Sequence, residues 1–245
     1  EEPNPIVNKK ELTTAIKQYL KDQIDLSKDK PVPFLPAKAL DELYMLFLLE
    51  NNDNDCYISP FFTIDTNGDK FPQWGGKLMT PRGGVDRITR QYIECKKKGK
   101  IMVILMSINV PNVGGHANMI IFNTKRNEIE RFEPHGQYAD IPDIDPDELN
   151  RQIREFILKP MNKKLKKEGI EKLKFVPSNK VCPKGYAGFQ AYESNAINKE
   201  KQSKKLQITI KDTEGYCLAW SLFYADLRLK FPNIEANKLI KISID

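Results

Sequence analysis

Apolar and polar positions follow one another in blocks, and the period of the pattern changes at residue 101. Upstream, Leu12, Ile16, Leu20 and Ile24 recur every fourth position, which predicts an amphipathic helix over residues 9 to 25. A stretch with Pro31, Pro33 and Pro36 follows. Residues 38 to 50 then repeat the helical pattern and stop at Asn-Asn-Asp-Asn-Asp, a turn signal. The segment 56 to 84, with Gly75-Gly76 and Gly83-Gly84, reads as irregular loop, and a further helix is expected over 85 to 98.

Ile101 to Val110 (IMVILMSINV) is a nearly continuous apolar run of strand length, the signature of a strand buried on both faces. A Pro-Asn-Val-Gly-Gly loop leads to His116. A second strand is expected over 118 to 122, a polar turn over 124 to 127 and a third strand over 128 to 133. This is a meander with His116 at the start of its second strand and Glu133 at the end of its third. Residues 146 to 168 predict an amphipathic helix bent at Pro160, and 173 to 176 a short strand. The lysine-rich 195 to 205 has no period and reads as a loop. After Gly215-Tyr216-Cys217, Leu218, Leu222 and Leu229 with Trp220, Phe223 and Leu227 predict a buried helix. The fold class is therefore α+β, with a central mixed or antiparallel sheet. Residues 1–99 are expected as a helical and loop extension and 100–245 as the core domain.

Composition narrows the picture. A chain of 245 residues can bury one sizeable core. Its 40% hydrophobic and 29% charged residues fit a soluble globular protein. No apolar run reaches the roughly 18 residues that span a bilayer, and no signal peptide is visible. The start at Glu1-Glu2-Pro3, without Met, reads as a processed or trimmed chain. The four cysteines, Cys56, Cys95, Cys182 and Cys217, form no C-x-x-C pair and are expected as free thiols in a reducing intracellular compartment. The net charge of +6 is spread over lysine clusters at 96 to 98, 163 to 167 and 199 to 205. These read as solvated faces; without an aromatic-interleaved stripe, nucleic acid is not the expected partner, whereas an acidic protein would suit the charge.

Only two histidines occur, so chemistry needing a neutral base near pH 7 must use His116 or His135, or a shifted carboxylate or lysine. The same scarcity leaves a zinc site few ligands. Cys217 stands where a helix begins, behind Asp212 and Thr213 as cap residues and Gly215 as a tight entry. Unpaired backbone N–H groups and the helix dipole there favour thiolate over thiol and offer an oxyanion its donors. A cysteine merely capping a core helix is the competing reading. Gly114-Gly115 keep the His116 ring approachable, though a histidine near a sheet is often structural. Glu133, one hairpin away, can hold an imidazole N–H and fix its tautomer, or else face solvent. Taken jointly, the three match a thiol protease's nucleophile, base and orienter.

The segments G-G-H-A-N-M-I-I-F-N, I-E-R-F-E-P-H-G, G-F-Q and E-G-Y-C-L-A-W-S-L-F-Y resemble the ubiquitin-like-protein protease superfamily. That group includes SUMO proteases, adenovirus-type proteinases and bacterial effector deubiquitinases. The wording is most similar to the branch found in large DNA viruses. The resemblance covers about residues 100 to 230. It implies a papain-like cysteine protease fold, His116 as base, Glu133 in a place usually held by Asp, and Cys217 as nucleophile. It also implies an upstream glutamine whose amide completes the oxyanion hole: Gln190, with Gln207 as the alternative. Ala117 stands where SUMO proteases carry Trp, and Gly-Tyr precedes the cysteine in place of the usual Asp. Trp74, Ala117, Asn118, Tyr216 and Trp220 are the implied substrate-binding residues, with Trp74 open to a simpler role as a loop aromatic and His135 to a structural one. The implied activity is deubiquitination after a Gly-Gly tail, without metal or organic cofactor, in host cytoplasm or virion. The alternatives are another ubiquitin-like modifier or a viral precursor as substrate, a silent binding module, or an acetyltransferase.

Overall fold

A nine-residue strand buried on both faces organises the molecule. The computed structural model describes residues 38–57, 62–65, 77–79, 84–110, 114–136, 145–182, 189 and 216–244. In chain order these form α1 (Lys38–Asn51), β1 (Phe62–Asp65), β2 (Lys77–Met79), α2 (Gly84–Lys97), β3 (Met102–Val110), β4 (Gly114–Asn123) and β5 (Glu128–Phe132). Then come α3 (Pro146–Gln152), a π-helical segment (Ile153–Leu158), α4 (Lys159–Lys167), β6 (Lys174–Val176), α5 (Ser178–Val181), α6 (Tyr216–Lys230) and α7 (Ala236–Ile244). The expected helix at 9 to 25, the proline stretch and the loop at 195 to 205 lie outside the described residues.

The strands form one six-stranded sheet in the order β2-β1-β3-β4-β5-β6. β3, β4 and β5 are the expected antiparallel meander, while β1 on β3 and β6 on β5 pair parallel, so the sheet is mixed and the fold α+β. Alternation along β3 builds two cores. Met102, Ile104, Met106 and Ile108 face α2, α3, the π-helical segment and α4. Val103 and Leu105 face α1, α6 and α7. Each such side chain contributes about 1.5–3 kcal/mol when fully buried. The run is apolar throughout because both of its faces are covered.

Three differences from the residue pattern have physical reasons. β1 and β2 fall in a segment expected as loop; at four and three residues they are too short to show a period and take their pairing from β3 and from each other. The helix at 146 to 168 is not simply bent at Pro160. Pro160 lacks an N–H, and its ring crowds the carbonyl four residues back; the chain widens into the six-residue π-helical segment just ahead of it. The expectation of four free thiols fails: Cys56 and Cys95 form a disulfide, with Cα atoms 5.7 Å apart. A count of cysteines excludes a disulfide-dense scaffold but cannot see one pair brought together when α2 packs on the sheet.

Among the described residues no helix is long and apolar enough to cross a membrane.

Candidate active site

β4 begins earlier than its apolar pattern suggests, at Gly114, so His116 is the third residue of the strand and pairs with Ile108 of β3. Strand residues two apart share a face. His116 and Asn118 therefore point the same way, as do Arg131 on β5 and Glu133 just past its end. The β4–β5 register pairs Met119 with Phe132, which puts Glu133 beside Asn118. The hairpin between them turns at Asn127, whose positive φ of 53° an Asn side chain tolerates.

The geometry that follows is tight. His116 Nε2 lies 2.7 Å from Glu133 Oε1. Asn118 Nδ2 donates to Glu133 Oε2 at 2.8 Å, and the His135 backbone N–H donates to Oε1 at 3.2 Å. His116 and Glu133 are 8% and 2% exposed, so little water screens the pair. Cys217 is the second residue of α6, in the first turn of a 15-residue helix, close enough to the His116 ring to raise its pKa. Nε2 is engaged by Glu133, which leaves Nδ1 for the sulfur. α6 is seated on β4 by apolar packing of Leu218, Tyr224 and Leu227 and by Ser221 Oγ, which donates to the Ala117 carbonyl at 3.2 Å.

The electrostatics favour a charged pair. Burial alone disfavours the imidazolium, but the Glu133 charge and the hydrogen bonds with Cys217 and Glu133 outweigh it and raise the pKa of His116 to about 10. Burial likewise opposes the Glu133 carboxylate, yet His116, by charge and hydrogen bond, and then the Arg131 and His135 charges hold it down at about 2. Cys182, whose Sγ lies 4.0 Å from the Glu133 carbonyl oxygen, is different. Burial, then the Glu133 charge, pushes its pKa up to about 12, which keeps it a neutral thiol near neutral pH.

Of the residues expected at the site, the fold brings His116, Glu133 and Cys217 together. Asn118 and Ala117, expected to touch substrate, are buried instead. Asn118 is bonded to Glu133 and Arg131, and Ala117 lies beneath α6. Strand alternation sends neighbours to opposite faces, and both faces of β4 are covered. Tyr216, directly before Cys217, is 46% exposed. Trp220 is half-buried and stacks on Phe189, with ring centroids 5.2 Å apart. His135 lies beside His116, ring centroids 5.6 Å apart. Gln190, Gln207, Trp74 and the cap residues Asp212 and Thr213 lie outside the described residues. The pattern reading missed Arg131 as a site residue; its position two before Glu133 on one strand face was the available signal. Among the described residues no group of three His, Cys, Asp or Glu side chains is gathered for a metal ion.

No protein-family model matches the chain. A putative ankyrin repeat protein of Acanthamoeba polyphaga mimivirus is 30% identical over 154 residues, which cover 62% of this chain. The matched part spans only 19% of that protein's length. Among solved structures, the Chlamydia trachomatis effector protein ChlaDUB1 aligns over 100% of this chain and 91% of its own at 10% identity and a TM-score of 0.44. A second structure of ChlaDub1 from Chlamydia trachomatis aligns over 89% and 92% at 10% identity and a TM-score of 0.41.

Proposed function

We propose that the chain is a cysteine peptidase of the ubiquitin-like-protein protease type, with ubiquitin as the first substrate to test. The observation that carries this reading is the junction of three elements: a thiol in the first turn of α6, an imidazole on β4 as its partner, and a buried carboxylate 2.7 Å behind the imidazole. Cys217 and His116 stand as a thiolate–imidazolium pair with the proton held on Nδ1, and the thiolate attacks the carbonyl carbon of the scissile bond. The backbone N–H of Cys217 and the Gln190 amide receive the oxyanion. The imidazolium returns the proton to the leaving amine, and water, activated by the neutral ring, releases the acid from the thioester. The motifs that resemble those of the ubiquitin-like-protein proteases support the substrate class. Residues 1–99 are assigned to the substrate side; the exposed Leu43, Leu46 and Phe47 of α1 suit that role.

Ubiquitin and SUMO probes carrying a C-terminal electrophile test this directly. An adduct on Cys217 with the ubiquitin probe, lost in Cys217→Ala, is the expected result. An adduct with SUMO alone would move the substrate to that modifier. Unreactivity of the folded protein toward a panel of modifiers would sink the reading.

A further inference from the structure

Behind the carboxylate lies a buried arginine. Arg131 is 0% exposed and bonded through all three nitrogens: Nη1 donates to Asn118 Oδ1 at 2.7 Å, Nε to Asn150 Oδ1 at 2.9 Å, and Nη2 to Ser178 Oγ at 2.7 Å. Taking a guanidinium out of water is costly, so such a group calls for a compensating role. It makes no hydrogen bond with Glu133: Nη1 stands 3.8 Å from Oε2, an ion-pair distance beyond hydrogen-bond reach. Asn118 sits between them.

We propose that Arg131, acting through Asn118, sets the direction of each hydrogen bond behind His116 and thereby fixes which ring nitrogen faces Cys217. An arginine side chain only donates. The end of the Asn118 amide that meets it must be the carbonyl, so the NH2 end must meet Glu133 Oε2. Glu133 Oε1 already takes the His135 backbone N–H and serves as the acceptor for the ring. When neutral, the His116 ring therefore keeps its proton on Nε2 and turns Nδ1 toward the sulfur. Without a donor-only partner the amide is free to turn over and set its carbonyl against the carboxylate, which must then swing away or take a proton. The inference rests on reading Cys217, His116 and Glu133 as nucleophile, base and orienter. Arg131 and Asn118 are positioning residues in it, not catalytic ones.

The groups that face the ring are Glu133, His135 and Cys217; those that face the carboxylate are His116, Arg131 and His135, with Cys182 against its backbone. With only two histidines in the chain, heteronuclear NMR of the imidazole nitrogens reads His116 cleanly once His135→Gln has assigned the other. In Cys217→Ala protein, the neutral ring of His116 is expected as the Nε2–H tautomer. Arg131→Lys, which keeps a donor-only group, should leave the His116 titration midpoint within about 0.3 units, while Arg131→Gln should lower it by about 1 unit or more and mix the tautomers. An Nδ1–H ring in the Arg131 parent would overturn the proposal. So would a midpoint unmoved in folded Arg131→Gln, or one moved equally by Arg131→Lys. If Arg131→Gln does not fold, the parent tautomer decides alone. No substrate is needed, so a correct tautomer beside an unreactive Cys217 would remove the peptidase reading while the relay stood.

Discussion

His116 and Glu133 shift in opposite directions, and each shift links proton binding to stability. The His116 pKa is raised from 6.5 to about 10, so its contribution is complete below pH 6.5 and is lost as the pH climbs through about 10. The Glu133 pKa is lowered from 4.5 to about 2, so its contribution is complete above pH 4.5 and is lost as the pH falls through about 2. The pair therefore stabilises most between pH 4.5 and 6.5. Glu133→Gln, compared with the parent by urea unfolding across pH, should cost most in that window and progressively less on either side. A cost independent of pH would show that the two side chains do not titrate as a pair. For turnover, Glu133→Ala should be milder than Cys217→Ala, because a misoriented base still accepts protons; equal losses in kcat would contradict that.

α6 delivers the thiol, and a buried polar cluster beyond its midpoint fixes where it lies. Tyr224 Oη donates to Glu130 Oε2 at 2.7 Å, and Arg228 Nη2 donates to Glu130 Oε1 at 2.7 Å. Arg228 Nη1 also reaches the Phe231 and Ile234 carbonyls beyond the helix end, at 3.1 and 2.7 Å. Arg228 and Glu130 are both 0% exposed, so removing one partner strands a charge in the core. Arg228→Met should destabilise by about 3–5 kcal/mol, and Glu130→Met/Arg228→Met by clearly less. If the double variant is the worse of the two in chemical denaturation, the ion pair itself is a net source of stability. Much of this architecture was legible in the residues. The strand run before His116, the hairpin to Glu133 and the apolar helix after Cys217 carry strong local periods, and all three form. What escaped depends on partners distant in sequence. β1 is a strand because β3 is there to pair with, and β2 because β1 is. α7 covers the second core with Ala236, Leu239 and Ile240, and its nine residues are fewer than the window over which a helical period shows. The resemblance implies Asn118 as a substrate residue. Its real partners, Glu133 and Arg131, come from the next strand.

For the whole molecule, the disulfide and the candidate nucleophile belong to different halves of the interior. Cys56 and Cys95 lie in the core between the sheet and α2, and Cys217 lies in the core between the sheet and α6. The disulfide closes a loop across a sequence separation of 39, which in a chain-entropy account is worth about 4 kcal/mol. Cys56→Ala/Cys95→Ala should accordingly lower stability by about 2–4 kcal/mol while labelling of Cys217 by the electrophilic probe continues. Loss of labelling in folded double variant would mean that the two cores are coupled through the strands. The partition also bears on sulfur chemistry. A backbone layer filled on both sides stands between an oxidised pair and a nucleophile able to attack it, so scrambling within one molecule requires the layer to come apart. A mixed disulfide formed at Cys217 should then leave the Cys56–Cys95 bond intact.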